Sequence, residues 1–247
     1  MARRLKLIVA YDGGGFSGWQ SQANRNGVQD HVEAAFQRIT DSAVRVHGSG
    51  RTDAGVHALG QCAHVDLAAG RLTAEQWNAA LNSILPPTIR VLRARFVSRD
   101  FHARFSAKGK VYRYRIWTGR VLPPFEVGRA WHIPAALDVD LMRDATTLFV
   151  GTHDFRGFTA NRGKPPTNTT RTLRSVLLRT AANSVVIDLD GDGFLYKMVR
   201  MLVGAAGQCG TGKISISQIA ARLSGRPSDM APLVAPAQGL ILQRVRY

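Results

Sequence analysis

Cysteine is scarce in this chain, and so are long apolar runs. Only two cysteines, Cys62 and Cys209, occur among 247 residues, and their spacing fits neither a disulfide framework nor a cysteine-based metal site. This scarcity indicates a reducing compartment. The apolar run near the start, Leu5–Ala10, is interrupted by Lys6 and is too short for a signal peptide or a membrane span. We therefore expect a soluble, cytoplasmic protein that makes no membrane contact.

Acidic residues are also few. Asp and Glu number 17 against 33 Lys and Arg, which gives a formal net charge of +16 and a pI near 11.1. Such a positive surface favours an acidic partner, above all nucleic acid. The stretch from Arg93 to Arg115 holds eight basic residues and one acid, Asp100, and its charges are interleaved with apolar residues. We expect this stretch to line the contact face.

Two glycine patterns resemble nucleotide-binding motifs without their structural context. Gly13, Gly15 and Gly18 fit G-x-G-x-x-G, but the helical period begins only near Val28, and a dinucleotide site needs a helix at the last glycine. The run from Gly207 to Lys213 fits a phosphate loop, but Ile214 stands where that loop needs Ser or Thr. The seven histidines show no metal-ligand spacing. We expect no nucleotide cofactor and no metal.

The hydrophobic pattern predicts an α+β fold built from two similar halves. Periods of two and 3.6 residues give the order βαββαβ in residues 1–105 and again in 106–247, an order typical of ferredoxin-like units. The predicted strands are Leu5–Tyr11, Ala43–His47, Gln61–Leu67, Ile89–Val97, Lys110–Trp117, Thr172–Arg179, Val185–Leu189 and Leu240–Arg244. The predicted helices are Val28–Ile39, one that begins at Thr73 and stops before Pro86, Val139–Val150 and Phe194–Gly207. Loops are predicted at Ala160–Thr170 and Leu223–Pro236, and a cleft between the two halves.

The most informative stretch is GSGRTDAGVH, residues 48–57, which follows a short extended segment. Its glycines allow backbone conformations that other residues resist, and Arg51 lies two residues before Asp53, close enough to hold that carboxylate ionised. An isolated loop of this kind is most often a plain turn in which the aspartate caps its own backbone. The pattern alone leaves both interpretations open.

This loop resembles the catalytic signature of the TruA family of tRNA pseudouridine synthases. The resemblance extends over almost the whole chain, in the family's order of blocks: YDGGGFSGWQ, GVQDHVEAAF, FHARFSAKGKVYRYRI, HDFRGF, FLYKMVRMLVG and APAQGLIL. It implies two ferredoxin-like halves in one continuous mixed sheet with helices on one side and a basic central cleft. The first half would carry the aspartate loop, and the second the residues that complete the site.

The resemblance also implies a role for four residues. Asp53 matches the essential catalytic aspartate, and Arg51 matches the arginine that fills the space left by the extruded nucleotide; from the sequence alone Arg51 is equally a phosphate ligand. Tyr112 matches the tyrosine that stacks on the target base, although strand alternation alone favours a core position for both Tyr112 and Tyr114. Arg200 matches the partner of the catalytic carboxylate; by itself it is an ordinary solvent-side cation, as is Lys197.

The activity implied is the cofactor-free isomerisation of uridine to pseudouridine at positions 38, 39 and 40 of the tRNA anticodon arm, by a homodimer. Whether Asp53 attacks C1′ or acts as a base that yields a glycal stays open, as does the set of tRNAs modified. One alternative is a non-catalytic RNA-binding protein of ferredoxin-like modules, which leaves the Asp53 loop without a purpose. Another is a nucleotide-dependent oxidoreductase, which fails on the missing helix.

Overall fold

The computed structural model describes residues 3–68, 70–160, 163, 167–226, 229 and 233–247. The chain forms two compact units, one of Met1–Lys108 with Ile241–Tyr247 and one of Gly109–Leu240. The strands are β1 (Arg3–Tyr11), β2 (Val46–Gly48), β3 (His57–Leu67), β4 (Ile89–Val97), β5 (Gly109–Trp117), β6 (Trp131–His132), β7 (Gly151–Asp154), β8 (Thr170–Ala181), β9 (Ser184–Gly191) and β10 (Leu240–Arg246). The helices are α1 (Val28–Thr40), α2 (Ala74–Ile84), α3 (Val139–Thr147), α4 (Met198–Gly210) and α5 (Ile216–Leu223).

The first unit is a mixed sheet with two helices. Its strands lie in the order β4-β1-β3-β10, with β2 on β3; β10 runs parallel to β3, and the other pairs are antiparallel. Leu5, Leu7 and Val9 alternate with half-buried residues along β1 and are fully buried. Because side chains alternate between the faces of a strand, one face of β1 is core and the other carries Lys6 and Ile8.

The helices of this unit begin where the sequence supplies caps. At the start of α2, Thr73 Oγ1 accepts a hydrogen bond from Gln76 N–H at 3.2 Å, and Gln76 Oε1 accepts one from Thr73 N–H at 2.8 Å. This reciprocal pair satisfies two amides that the helix itself leaves unbonded. Phe36 of α1 packs against Trp77 of α2, with ring centroids 5.3 Å apart, so the two helices share the core.

The second unit is also a mixed sheet with helices. Its strands lie in the order β5-β9-β8-β7, with β6 parallel to β5. Helix α4 is buried almost all round; a Cβ at its Gly207 would lie 2.9 Å from the Trp131 ring, and Gly212 follows the helix with φ +71°. The glycines that imitate a phosphate loop thus belong to a tightly packed helix and its end.

Most of the predicted elements are confirmed, and both units are α+β. Strand β4 has the predicted bounds, whereas α4 begins at Met198 and not at Phe194, because Lys197 adopts a left-handed conformation with φ +59°. The final strand, β10, pairs with β3 and lies in the first unit, which differs from the predicted division at residue 105. Parts of the two predicted loops, residues 161–162, 164–166, 227–228 and 230–232, lie outside the described residues.

Candidate active site

The loop that carries Asp53 joins β2 to β3, two antiparallel neighbours. It is held at both ends: Ser49 N–H donates to Cys62 O at 2.7 Å, and Val56 N–H donates to Asp53 O at 3.1 Å. Gly55 has φ +78°, in the left-handed region that glycine adopts without strain. Asp53 is half-buried. The sequence therefore builds a fixed turn with a partly exposed carboxylate.

The glycines of the dinucleotide-like pattern position this same loop. A Cβ at Gly13 would lie 2.1 Å from Val56 O, and one at Gly18 would lie 2.4 Å from Thr52 O. Gly18 also has φ +97°, and the next residue, Trp19, donates its N–H to Thr52 O at 3.1 Å. These glycines thus permit the segment after β1 to lie directly against the Asp53 loop. Helix α1 begins only at Val28, as predicted, so the context of a dinucleotide site is missing.

A network of buried hydrogen bonds supports the Asp53 loop. The Tyr11 hydroxyl and Thr52 Oγ1 are 2.8 Å apart and share a hydrogen bond; Ser49 Oγ donates to Gln61 Oε1 at 2.7 Å, and Gln61 Nε2 donates to Gly50 O at 3.0 Å. Burial raises the pKa of Tyr11, so its phenol remains a neutral hydrogen-bonding group. Buried polar groups that are satisfied in this way make a conformation specific. Sequence patterns did not predict this network, although Gln61 is an unusual polar residue in a buried strand.

Arg51 lies on the exposed side of the loop. Within the part of the chain that the structure describes, its guanidinium forms no hydrogen bond or ion pair, not even with Asp53. The two charged groups thus form no direct ion pair in this turn, and the expectation that the nearby charge of Arg51 keeps Asp53 ionised stays a prediction. An exposed cation remains available to a nucleic acid.

Tyr112 and Tyr114 occupy the buried face of β5, as strand alternation predicts. Tyr114 is fully buried, and its hydroxyl donates to Pro236 O at 2.7 Å, which confirms its core position. Tyr112 is 7% exposed and meets the edge of Phe194, with centroids 5.1 Å apart at 85°. Burial raises the pKa of Tyr114, and the charge of Arg200 partly opposes that shift, so Arg200 is near this face.

Arg200 is fixed by the backbone. Its Nε donates to Ala235 O at 2.7 Å, and Ala235 N–H donates to Arg200 O at 3.1 Å, so the guanidinium is held in one orientation at the N-terminal part of α4. Lys197, by contrast, precedes the helix and does not share its face. Asp53 and Arg51 belong to the first unit, and Tyr112 and Arg200 to the second. The predicted contact between Asp53 and Arg200 stays a prediction.

Two arginines of the predicted basic contact face are paired with carboxylates. Arg113 donates to both oxygens of Asp188 at 2.7 and 2.9 Å, and Arg115 forms an ion pair with Glu126 at 2.8 Å. Burial acts to raise the pKa of Asp188, but hydrogen bonds from Arg113 and Arg179 outweigh it, and the pKa is lowered. Carboxylates on neighbouring segments thus neutralise the two arginines of β5, and the expectation that the stretch from Arg93 to Arg115 faces RNA stays a prediction.

Comparison with known proteins agrees with these features. A family model described as tRNA pseudouridine synthase matches residues 7–106 and 145–247, which include the Asp53 loop, α4 and β10. The chain belongs to the tRNA pseudouridine synthase family. It is 46% identical to a tRNA pseudouridine synthase A of Akkermansia muciniphila, over 99% of this chain and 95% of that protein. It is 43% identical to the one of Methylacidiphilum infernorum, over 98% and 94%.

Comparison with solved structures gives a weaker likeness. A chain of the archaeal box H/ACA sRNP Nop10–Cbf5 complex matches 83% of this chain and 43% of its own length, with a TM-score of 0.38 and 12% identity. Among the described residues, no helix is long and apolar enough to cross a membrane. In the same ranges, no group of three or more His, Cys, Asp or Glu side chains could hold a metal ion.

Proposed function

We propose that this protein isomerises uridine to pseudouridine in tRNA, at positions 38, 39 and 40 of the anticodon arm. The observation that carries the proposal is the Asp53 loop: it has the family's signature, it is held by glycine-permitted backbone contacts and a buried polar network, and it leaves a carboxylate partly exposed. In the reaction the bond between C1′ and N1 breaks and a bond between C5 and C1′ forms. C5 loses its proton and N1 gains one, so the product is an isomer and no cofactor is consumed.

Asp53 starts this reaction, either by attacking C1′ or by removing a sugar proton to give a glycal. A base stacked in a helix hides its glycosidic bond, so the uridine has to turn out of the stack. Arg51, exposed beside Asp53, supports that extruded state by occupying the space the nucleotide leaves. Tyr112 stacks on the extruded base, with Phe194 against its ring.

Arg200 is the proposed partner of the Asp53 carboxylate. Its fixed orientation, set by the bond from Nε to Ala235 O, supports this role because a guanidinium held in place loses little entropy when it binds a carboxylate. An adjacent positive charge keeps a carboxylate ionised at neutral pH, which both a nucleophile and a base require.

We also propose that the enzyme is a cytoplasmic homodimer. Light scattering of the purified protein tests the oligomeric state, because it compares the mass in solution with the 26.9 kDa of one chain.

Site-resolved mapping of pseudouridine tests the proposed function. An unmodified tRNA transcript with uridines at positions 38, 39 and 40 is incubated with the protein, digested and analysed after a pseudouridine-specific label. We expect conversion at those positions and none elsewhere in the molecule. Binding without any conversion would refute the proposal and favour a non-catalytic RNA-binding protein, and conversion confined to another arm would refute the assigned positions.

A further inference from the structure

A basic groove lies on the sheet of the first unit, away from the Asp53 loop in sequence. It has a volume of about 220 Å³ and is lined by Lys6, Ile8, Arg93 and Arg95. These residues come from two paired strands, because Lys6 of β1 lies opposite Arg95 of β4 and Ile8 lies opposite Arg93. All four side chains therefore lie on one face of the paired strands β1 and β4, opposite the face that packs into the core.

The positive charges in this groove repel one another. Residues directly opposite in an antiparallel pair have Cβ atoms about 4.5 to 5.5 Å apart, and like charges at that distance are destabilising. Among the described residues, no hydrogen bond or ion pair joins Lys6, Arg93 or Arg95 to a carboxylate. Burial and the charge of Arg95 lower the pKa of Lys6. The fold thus concentrates positive charge here without the compensation that it supplies to Arg113 and Arg115.

Aromatic rings stand beside the groove. The Lys6 ammonium lies 3.9 Å from the ring centroid of Tyr247 and 4.5 Å from that of Phe101, and those two rings are in contact at 4.8 Å. Cations next to aromatic rings on a sheet face are typical of surfaces that follow an RNA strand. The groove, with its volume of about 220 Å³, has space for a phosphate group beside the arginines.

We propose that this groove is a binding subsite for a backbone phosphate of the RNA substrate, held mainly by Arg93 and Arg95. Guanidinium groups bind phosphate oxygens in pairs of charge-assisted hydrogen bonds, and both arginines are exposed. A contact of this kind positions the RNA and carries no sequence information. The assignment of RNA as the source of the phosphate rests on the proposed function; the cluster of cations does not.

The salt dependence of tRNA binding tests the subsite. The variant Arg93→Gln/Arg95→Gln is compared with Arg38→Gln/Arg71→Gln, which removes the same charge from two exposed positions, one in the last turn of α1 and one before α2. The slope of log affinity against log salt should become shallower by about 0.7 to 0.9 in the first variant, since that is the contribution of one neutralised phosphate. The control should keep the wild-type slope. The variant Arg93→Lys/Arg95→Lys keeps the charge, and its slope should be close to that of the wild type.

Equal slopes for the two glutamine variants would overturn the proposal, and circular dichroism of each variant shows that it is folded. Inorganic phosphate distinguishes a free anion from a backbone phosphate: if it raises the Tm of the wild type but not of Arg93→Gln/Arg95→Gln, while the tRNA slopes are equal, the groove binds a small anion and not RNA. Pseudouridine formation by the wild type is measured on the same samples. Its absence would refute the proposed function, whereas the slopes test the subsite in either case.

Discussion

The two units carry their positive charge in different ways. In the second unit four of the five sheet arginines are paired with carboxylates: Arg113 and Arg179 with Asp188, Arg115 with Glu126 and Arg174 with Asp190. In the first unit the groove cations have no carboxylate partner among the described residues, and the same holds for Arg51. Arg4, which binds Asp66 at 2.7 Å, and Arg45, which lies 3.6 Å from Glu33, do have carboxylate partners in this unit. A net charge of +16 thus predicts an acidic partner, but the pairing of the charges decides which surface can bind it.

The largest expected effect is on catalysis by the first unit, and it should leave the binding of RNA nearly unchanged. We expect Asp53→Asn to lower the rate of isomerisation by about four orders of magnitude or more, because the amide keeps the shape of the side chain but is neither a nucleophile nor a base. Such a loss corresponds to about 5.5 kcal/mol of barrier. Single-turnover kinetics with tRNA measure it, and a filter-binding assay should show nearly unchanged affinity. Wild-type turnover by this variant would refute the assigned role of Asp53.

The backbone contact that fixes the Asp53 loop is the next target. Gly18→Ala places a Cβ 2.4 Å from Thr52 O at a position with φ +97°, and strain and overpacking together should cost roughly 2 to 4 kcal/mol of unfolding free energy. Gly15→Ala is a matched control, since a Cβ there meets nothing within 4 Å. Urea denaturation compares the two. Equal stability of both alanine variants would show that the approach to the loop is not tight.

The units should also differ in their response to acid. Burial, together with the charges of Arg4, His102 and His47, lowers the pKa of His64 to about 4, with Asp66 opposing, and its Nδ1 accepts a hydrogen bond from Ala103 N–H at 3.1 Å. Between pH 6.5 and pH 4 the unfolded chain binds a proton at this residue and the folded chain does not. The free energy of unfolding should therefore fall by about 2 to 3 kcal/mol from pH 7 to pH 4.5.

Urea denaturation at the two pH values measures this loss, and His64→Gln should remove most of it. The lowered pKa of Asp188 acts in a different range: its contribution is fully present above the ordinary value of 3.8 and is lost only as pH falls through the lower folded value. The ion pairs of the second unit should thus survive at pH 4.5. An unchanged pH dependence in His64→Gln would contradict the role given to His64.

The smallest expected effect concerns the paired charges of the second unit. Asp188 is 16% exposed, whereas its partners Arg113 and Arg179 are 38% and 52% exposed, so solvent screens part of the interaction. We expect Asp188→Asn to lower the free energy of unfolding by about 1 to 2 kcal/mol and to leave the salt dependence of tRNA binding unchanged. Chemical denaturation and the binding slope measure the two parts. A steeper slope would indicate that the released arginines contact RNA.

Sequence patterns predicted the long elements best. Strand β4 and helix α1 have strong periods and begin or end at clear signals, and their predicted bounds agree with the structure to within one residue. The short elements α5, β6 and β7 were not predicted, because a few residues give no readable period. Helix α4 was predicted to begin four residues early, since its apolar pattern continues through residues before the left-handed Lys197.

The candidate site, too, was predicted only in part from the sequence. The loop around Asp53 was recognised from consecutive residues, but its supports were not: Tyr11, Gln61 and Gly18 reach it from other segments of the chain. The ion pairs of Arg113 and Arg115 were missed for the same reason, because their carboxylates lie 75 and 11 residues away. Contacts between distant segments depend on strand register, which alternation alone does not determine.

Release of tritium from tRNA labelled at C5 of its uridines tests the proposed activity most directly. The new bond to C1′ replaces the bond between C5 and hydrogen, so each uridine isomerised gives up one tritium to water. We expect the wild-type protein to release tritium in proportion to the uridines present at positions 38, 39 and 40, and Asp53→Asn to release it at least about 10⁴-fold more slowly. Tight binding of the labelled tRNA by the wild type without release of tritium would contradict the account.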